Sequence, residues 1–195
     1  MQRRLRFPMP EDTPMMPRFA PLQLLSLIAL ACLAAAAVAA TPGRPDVPEA
    51  IKAPAAEQVV LVAHAGGSQI YVCGKGDDGK PQWTLKAPEA QLRDVKGALI
   101  GHHSAGPTWK HLDGSSVTGK LTAKAPSPDP NSIPWLLVTV TSHEGNGVLT
   151  RVTSIQRINT RGGAAPPAAK CDPSKPTAET WVPYSADYYF YRPAG

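Results

Sequence analysis

Short runs of alternating hydrophobic and polar residues follow one another along most of the chain, a pattern typical of β-strands. The clearest runs are 58–64, which is dense in β-branched residues, 133–141 and the aromatic segment 184–191. Helical periodicity is almost absent. The pattern therefore predicts an all-β chain of about eight or nine short strands.

Turn-forming residues separate these runs. Asp77-Asp78-Gly79, Asp113-Gly114 and Glu144-Gly145-Asn146-Gly147 each lie between two runs, as expected for tight turns between antiparallel strands. Mostly antiparallel strands with short connections predict a single sandwich or barrel, with at most one or two helical turns.

Three segments are harder to interpret. The pair Gly66-Gly67 is expected to interrupt the first strand, and 148–159 is expected to form one long strand with a bulge or bend. Residues 87–94 begin with Ala-Pro-Glu, which suits the start of a helix, so a helical turn is predicted there, with a strand as the alternative.

The first 40 residues have the organisation of a secretory signal peptide. Four arginines precede an apolar run over 22–38, and small residues then predict cleavage near Ala39 or Ala40. Lipidation at Cys32 is disfavoured, because alanine stands three residues before it and the following residues stay apolar. We therefore predict a secreted or periplasmic protein whose mature chain does not span a membrane.

The mature chain divides into a Pro- and Ala-rich lead-in, 41–57, and a single all-β domain, 58–195. Val47 and Ile51 give the lead-in a reason to dock on the domain. Removing the leader takes away four basic and two acidic residues, so the formal net charge falls from +5 to +3. The remaining basic residues form no cluster, and no nucleic-acid partner is expected.

Two cysteines, Cys73 and Cys171, remain after cleavage. An even pair in an exported chain predicts a disulfide. Their spacing fits no zinc or redox motif, and no cofactor is predicted.

The richest cluster of chemically versatile residues lies between positions 101 and 115. It contains the candidate ligand-binding residues His102, His103, Trp109, His111 and Asp113. On a strand, His111 and Asp113 would share one face, whereas adjacent His102 and His103 would point to opposite faces. A metal site built on His111 and Asp113 with one of the other histidines is one interpretation. The alternative is that the histidines bond loop backbone.

No catalytic signature accompanies these residues, so binding without turnover is favoured over catalysis. Trp109, an aromatic residue flanked by polar groups, suits a cleft for a small molecule, a glycan or a cell-envelope component. The alternatives are a metal-assisted hydrolase that uses His102 or His103 with His111 and Asp113, and a structural envelope or surface protein.

Several ordered motifs resemble a family of exported bacterial and filamentous-fungal proteins that is known only as a domain of unknown function. They are Gly67–Cys73, Ala87–Leu92, Gly101–Trp109, Asp113–Ser115, Ile133–Leu136, Ile155–Gly163 and Tyr184–Tyr191. The resemblance covers about residues 47–192 and implies export and a single fold, but no activity. Some fungal members are labelled malate dehydrogenase, a label that this sequence, without a Gly-x-Gly-x-x-Gly motif or βαβ pattern, does not support.

Overall fold

Eight antiparallel strands close into a barrel in the computed structural model, which describes residues 42–175 and 178–195. Each strand pairs with the next, and the first pairs with the last. Short 3-10 turns lie at Glu49–Ile51 and Ala168–Lys170. The all-β prediction is confirmed. The strands are β1 Glu57–Lys75, β2 Pro81–Arg93, β3 Leu99–Ser104, β4 Thr108–His111, β5 Ser116–Ala125, β6 Trp135–Glu144, β7 Ser154–Gly162 and β8 Glu179–Pro193.

Strand β1 runs straight through Gly66-Gly67, so the predicted interruption is wrong. Gly67 pairs with Ala90 of β2 on one side and with Tyr184 of β8 on the other. A Cβ atom at Gly67 would lie 2.0 Å from the carbonyl oxygen of Glu89. The glycine therefore permits a close approach between strands instead of ending one.

The predicted helical turn at 87–94 is also wrong, because these residues extend β2. Pro88 is in register with Gln69 of β1, whereas pairing of β2 with β3 begins only at Ala90. Pro88 therefore lies where β2 has no partner on its β3 side, a position that tolerates a residue without an N–H group.

Residues 148–153 do not join β7 as predicted but form successive turns. Thr150 and Val152 donate backbone hydrogen bonds to Gly147 and Leu149, at 3.2 and 3.1 Å. Leu149 and Val152 are buried in the interior cluster of the barrel. Their spacing of three suits a turn that buries both side chains, which an extended strand could not do.

Small and large side chains complement one another inside the barrel. Alanines on β1, β2 and β8 share the interior with large aromatic side chains on β4 and β8. An eight-stranded barrel has an interior that side chains just fill, or that holds one small ligand. The interior cluster includes Ala63, Ala65, Ala90, Ala186, Trp109, Tyr188 and Phe190.

The lead-in lies along the outside of the barrel as a strap, defined here as residues 44–54. Val47 and Ile51 are buried, as expected, in a second apolar cluster with residues such as Leu137 and Tyr191. The Gln156 amide donates a 2.6 Å hydrogen bond to the carbonyl oxygen of Ile51. The strap thus covers an outer face that would otherwise expose apolar side chains.

The predicted disulfide between Cys73 and Cys171 is present. It links the end of β1 to the loop that precedes β8, and the two Cα atoms lie 5.3 Å apart. Among the described residues, no helix is both long enough and apolar enough to cross a membrane.

Candidate functional site

The two adjacent histidines lie on opposite faces of β3, as strand geometry requires. His103 points inward and is 3 % exposed, whereas His102 is exposed on the outside. His102 lines an outer depression of about 400 Å³ together with Trp181, and His103 also borders it. The two side chains nevertheless point to opposite faces of β3.

His103 belongs to an aromatic stack inside the barrel. The cross-strand pairing of β3 with β4 sets His103 beside Trp109, with ring centroids 4.4 Å apart and planes inclined by 10°. Tyr188 meets both rings edge-on, at 5.2 and 5.7 Å. Trp109 is thus a buried residue of β4.

The imidazole of His103 is neutral at physiological pH. Burial lowers its pKa to about 4, against the opposing effect of a hydrogen bond to the backbone of Thr108. Nδ1 lies 2.9 Å from the Thr108 carbonyl oxygen, which can only accept, so Nδ1 carries the proton.

Asp113 lies two residues after the end of β4, and its carboxylate holds two loops together by hydrogen bonds. One carboxylate oxygen accepts hydrogen bonds from the backbone and hydroxyl of Ser115, at 2.9 and 2.6 Å. The other accepts the Val148 N–H at 2.7 Å. Desolvation raises the pKa of this carboxyl, but these bonds and that of His111 outweigh it and hold the pKa below its ordinary value. The carboxylate thus ties the β4–β5 turn to the β6–β7 loop.

The predicted site residues do not gather around one point. His111 Nδ1 lies 3.0 Å from Asp113, while His103 is held by Thr108 and His102 faces outward. Within 42–175 and 178–195, no group of three or more His, Cys, Asp or Glu side chains is arranged to hold a metal ion.

A cavity of about 310 Å³ opens in the wall of the barrel, and we call it the barrel cavity. Strands β3 and β4 are short, with 6 and 4 residues, so longer β2 and β5 extend past their hairpin. The opening lies in the resulting gap. The lining residues are Gln69, Leu85, Lys86, Ala87, Pro88, His103, Gly106, Pro107, Trp109, Leu121, Leu136, Val138, Ile155, Arg157 and Tyr188.

Sequence reasoning found His103 and Trp109 but missed Gln69, Arg157 and Tyr188. A signal for two of them is in the sequence: Gln69 continues the inward alternation of Ala63 and Ala65, and Arg157 follows Ile155 by two residues. A polar residue at an inward position of an apolar strand marks a polar point in the interior.

Three buried hydrogen-bond donors belong to side chains that line the cavity. Gln69 Nε2, Trp109 Nε1 and Arg157 Nε are buried without a partner among the described residues. Arg157 Nη2 donates to the Pro134 carbonyl oxygen at 2.8 Å. Burial raises the pKa of the Tyr188 hydroxyl, so this group stays protonated at neutral pH. The site thus combines an apolar lining with a few convergent donors, the usual composition of a small-molecule pocket.

Comparison with known proteins gives a family but no activity. A family model with the description "Protein of unknown function (DUF3455)" matches residues 54–192. No curated protein and no solved structure matches the chain significantly.

Proposed function

Since this chain belongs to the family described as protein of unknown function (DUF3455), whose description assigns no activity, we propose from the site alone that it binds a small, largely apolar molecule in the barrel cavity without turnover. The observation that carries the proposal is the cavity of about 310 Å³ with partnerless donors on its wall. Its volume lies at the small end of the range for ligand pockets.

The lining favours binding over catalysis. Within the described chain, no Ser, Thr, Cys, Asp or Glu lines the barrel cavity, and its one hydroxyl, that of Tyr188, is held protonated because burial raises its pKa. His103 donates its Nδ1 proton to the Thr108 carbonyl oxygen, a bond that fixes the ring. The side chains that line the cavity are therefore suited to orient a bound molecule.

A neutral fluorescent probe tests the proposal. N-phenyl-1-naphthylamine is expected to bind saturably at one site and to fluoresce more strongly on leaving water. Leu121 lines the opening and is half exposed, so Leu121→Trp should obstruct the cavity and weaken binding by about tenfold or more, roughly 1.4 kcal/mol.

Leu112→Trp is the matched control, because Leu112 is an exposed apolar residue outside this lining and should leave probe affinity unchanged. Absence of saturable binding, or equal affinities in both variants, would refute the cavity as a binding site.

We further infer that the protein is exported and cleaved after a leader of 40 residues, which lies outside the described residues. The composition of the leader supports this, and the Cys73–Cys171 disulfide suits an oxidising compartment. In a bacterial host, intact mass should place the new N-terminus at Ala40 or Thr41. Full-length protein confined to the cytoplasm would contradict the inference.

A further inference from the structure

We propose that the ligand of the barrel cavity is a small anionic amphiphile, whose carboxylate-like head lies inside against Arg157, Gln69 and Trp109 and whose apolar body fills the opening. This inference rests on the proposed function and specifies its ligand class. Charge, donor geometry and the polarity of the lining support it independently.

The charge of the lining is positive. Arg157 and Lys86 line the cavity, His103 is neutral, and no acidic side chain among the described residues lines it. Lys86 forms an ion pair with Glu179, whereas Arg157 has no carboxylate partner in the described chain. The uncompensated charge of the site is therefore that of Arg157, which lies on the interior side of β7.

The partnerless donors belong to three side chains that line the same cavity. Gln69 and Trp109 are 1 % and 2 % exposed, and their partnerless nitrogens have almost no surface open to water, so an acceptor reaches them only when the lining side chains shift. A buried donor without an acceptor destabilises the empty site. An ionised carboxylate offers acceptors only, so a head group that enters beside Arg157 and shifts the lining side chains would accept from these donors without adding one.

The lining at the opening is apolar, which fixes the orientation of the ligand. Leu85 and Leu121 are each 50 % exposed, and Pro88 and Pro107 lie beside them. An apolar body placed there removes this surface from water, while a charged head there would find only Lys86, already paired with Glu179. The head therefore points inward.

Octanoate and 1-octanol form a matched pair of probes, since both carry an eight-carbon chain and only the acid is charged. Calorimetric titration of the native protein at pH 7 should show octanoate binding about tenfold or more tightly than octanol, because hydrogen bonds to ionised groups are the stronger kind. Affinity for octanoate equal to or below that for octanol overturns the anionic head.

Substitutions of Arg157 test whether this residue causes the preference for octanoate over octanol. Arg157→Gln should remove the advantage of octanoate, and Arg157→Lys should retain part of it, because the charge remains but the fork of donors is lost. Arg161→Gln, an exposed arginine of the same strand, should change neither affinity. Preference for octanoate that survives Arg157→Gln also overturns the assignment.

Gln69→Glu is the second variant, used if Arg157→Gln does not fold. It places a carboxylate beside the head group, so octanoate should lose about tenfold in affinity or more while octanol binds as before. Unchanged octanoate affinity overturns the inference. If the neutral fluorophore and both octyl probes all fail to bind the native protein, the proposed function fails as well. If the fluorophore alone binds, only the ligand class is wrong.

Discussion

At the scale of single residues, His103 makes stability depend on pH. Its pKa in the unfolded chain is 6.5, and burial lowers it to about 4 in the folded protein. The unfolded state therefore takes up the proton first as pH falls, so this contribution to stability is complete above pH 6.5 and is lost between about pH 6.5 and 4. We expect the free energy of unfolding to fall by about 3 kcal/mol over that interval from this residue.

Urea denaturation at a series of pH values checks this expectation. His103→Phe keeps a ring against Trp109 but cannot titrate, so its stability should vary less with pH than that of the native protein. His102→Ala removes an exposed histidine and should leave the native profile unchanged. If the free energy of unfolding varied equally with pH in the native protein and in His103→Phe, the pH dependence could not be assigned to His103.

The sequence predicted the orientations of the histidines better than their roles. Alternation along a strand was enough to place His102 and His103 on opposite faces. Alternation could not predict how deeply His103 is buried, because its burial depends on the pairing with Trp109 and on the edge contact of Tyr188 from β8. Arg157 joins the same site only through barrel closure, so no local pattern could have identified the site as a whole.

At the scale of elements, the strap contributes to the stability of the barrel. Ile51 is fully buried against the outer face, and its carbonyl oxygen accepts the Gln156 amide. Ile51→Ala should lower the free energy of unfolding by about 2–4 kcal/mol, because it removes buried methyl and methylene groups and leaves a cavity. Chemical denaturation measures the loss.

Leu112→Ala provides the comparison. Because Leu112 is 60 % exposed, this substitution should lower the free energy of unfolding by less than about 0.5 kcal/mol. Similar losses in the two variants would mean that the strap does not contribute through burial.

The errors made in predicting elements have a common cause. Residues 87–94 carry a local signal for a helix start, but pairing with β1 keeps them extended. Gly66-Gly67 carries a local signal for a break, but close approach of β2 requires a residue without a Cβ atom. In both cases contacts from distant parts of the chain outweigh the local preference.

At the scale of the whole molecule, the disulfide closes most of the domain into one covalent loop. Cys73 and Cys171 are 98 residues apart, and a cross-link of that span restricts the unfolded chain strongly. Replacing both by serine should lower the free energy of unfolding by about 2–5 kcal/mol while retaining the fold. Circular dichroism and denaturation check both expectations. Stability equal to that of the native protein would show that the cross-link contributes nothing.

The all-β class was predictable at this scale, but the choice between barrel and sandwich was not. Strand count and turn residues are local properties, whereas closure depends on the register between the first and last strands. The pairs from Glu57–Pro193 to Val72–Glu179 decide it, and a separation of more than a hundred residues leaves no trace in local alternation.

The pairing of β1 with β8 also sets the order of events during biosynthesis. During synthesis, the first strand emerges long before its final partner, so its edge stays unpaired until the last strand has appeared. Contacts between strands that are far apart in the sequence form slowly during folding. Loss of the terminal strand would leave two open edges, those of β1 and β7, free to join edges of other chains.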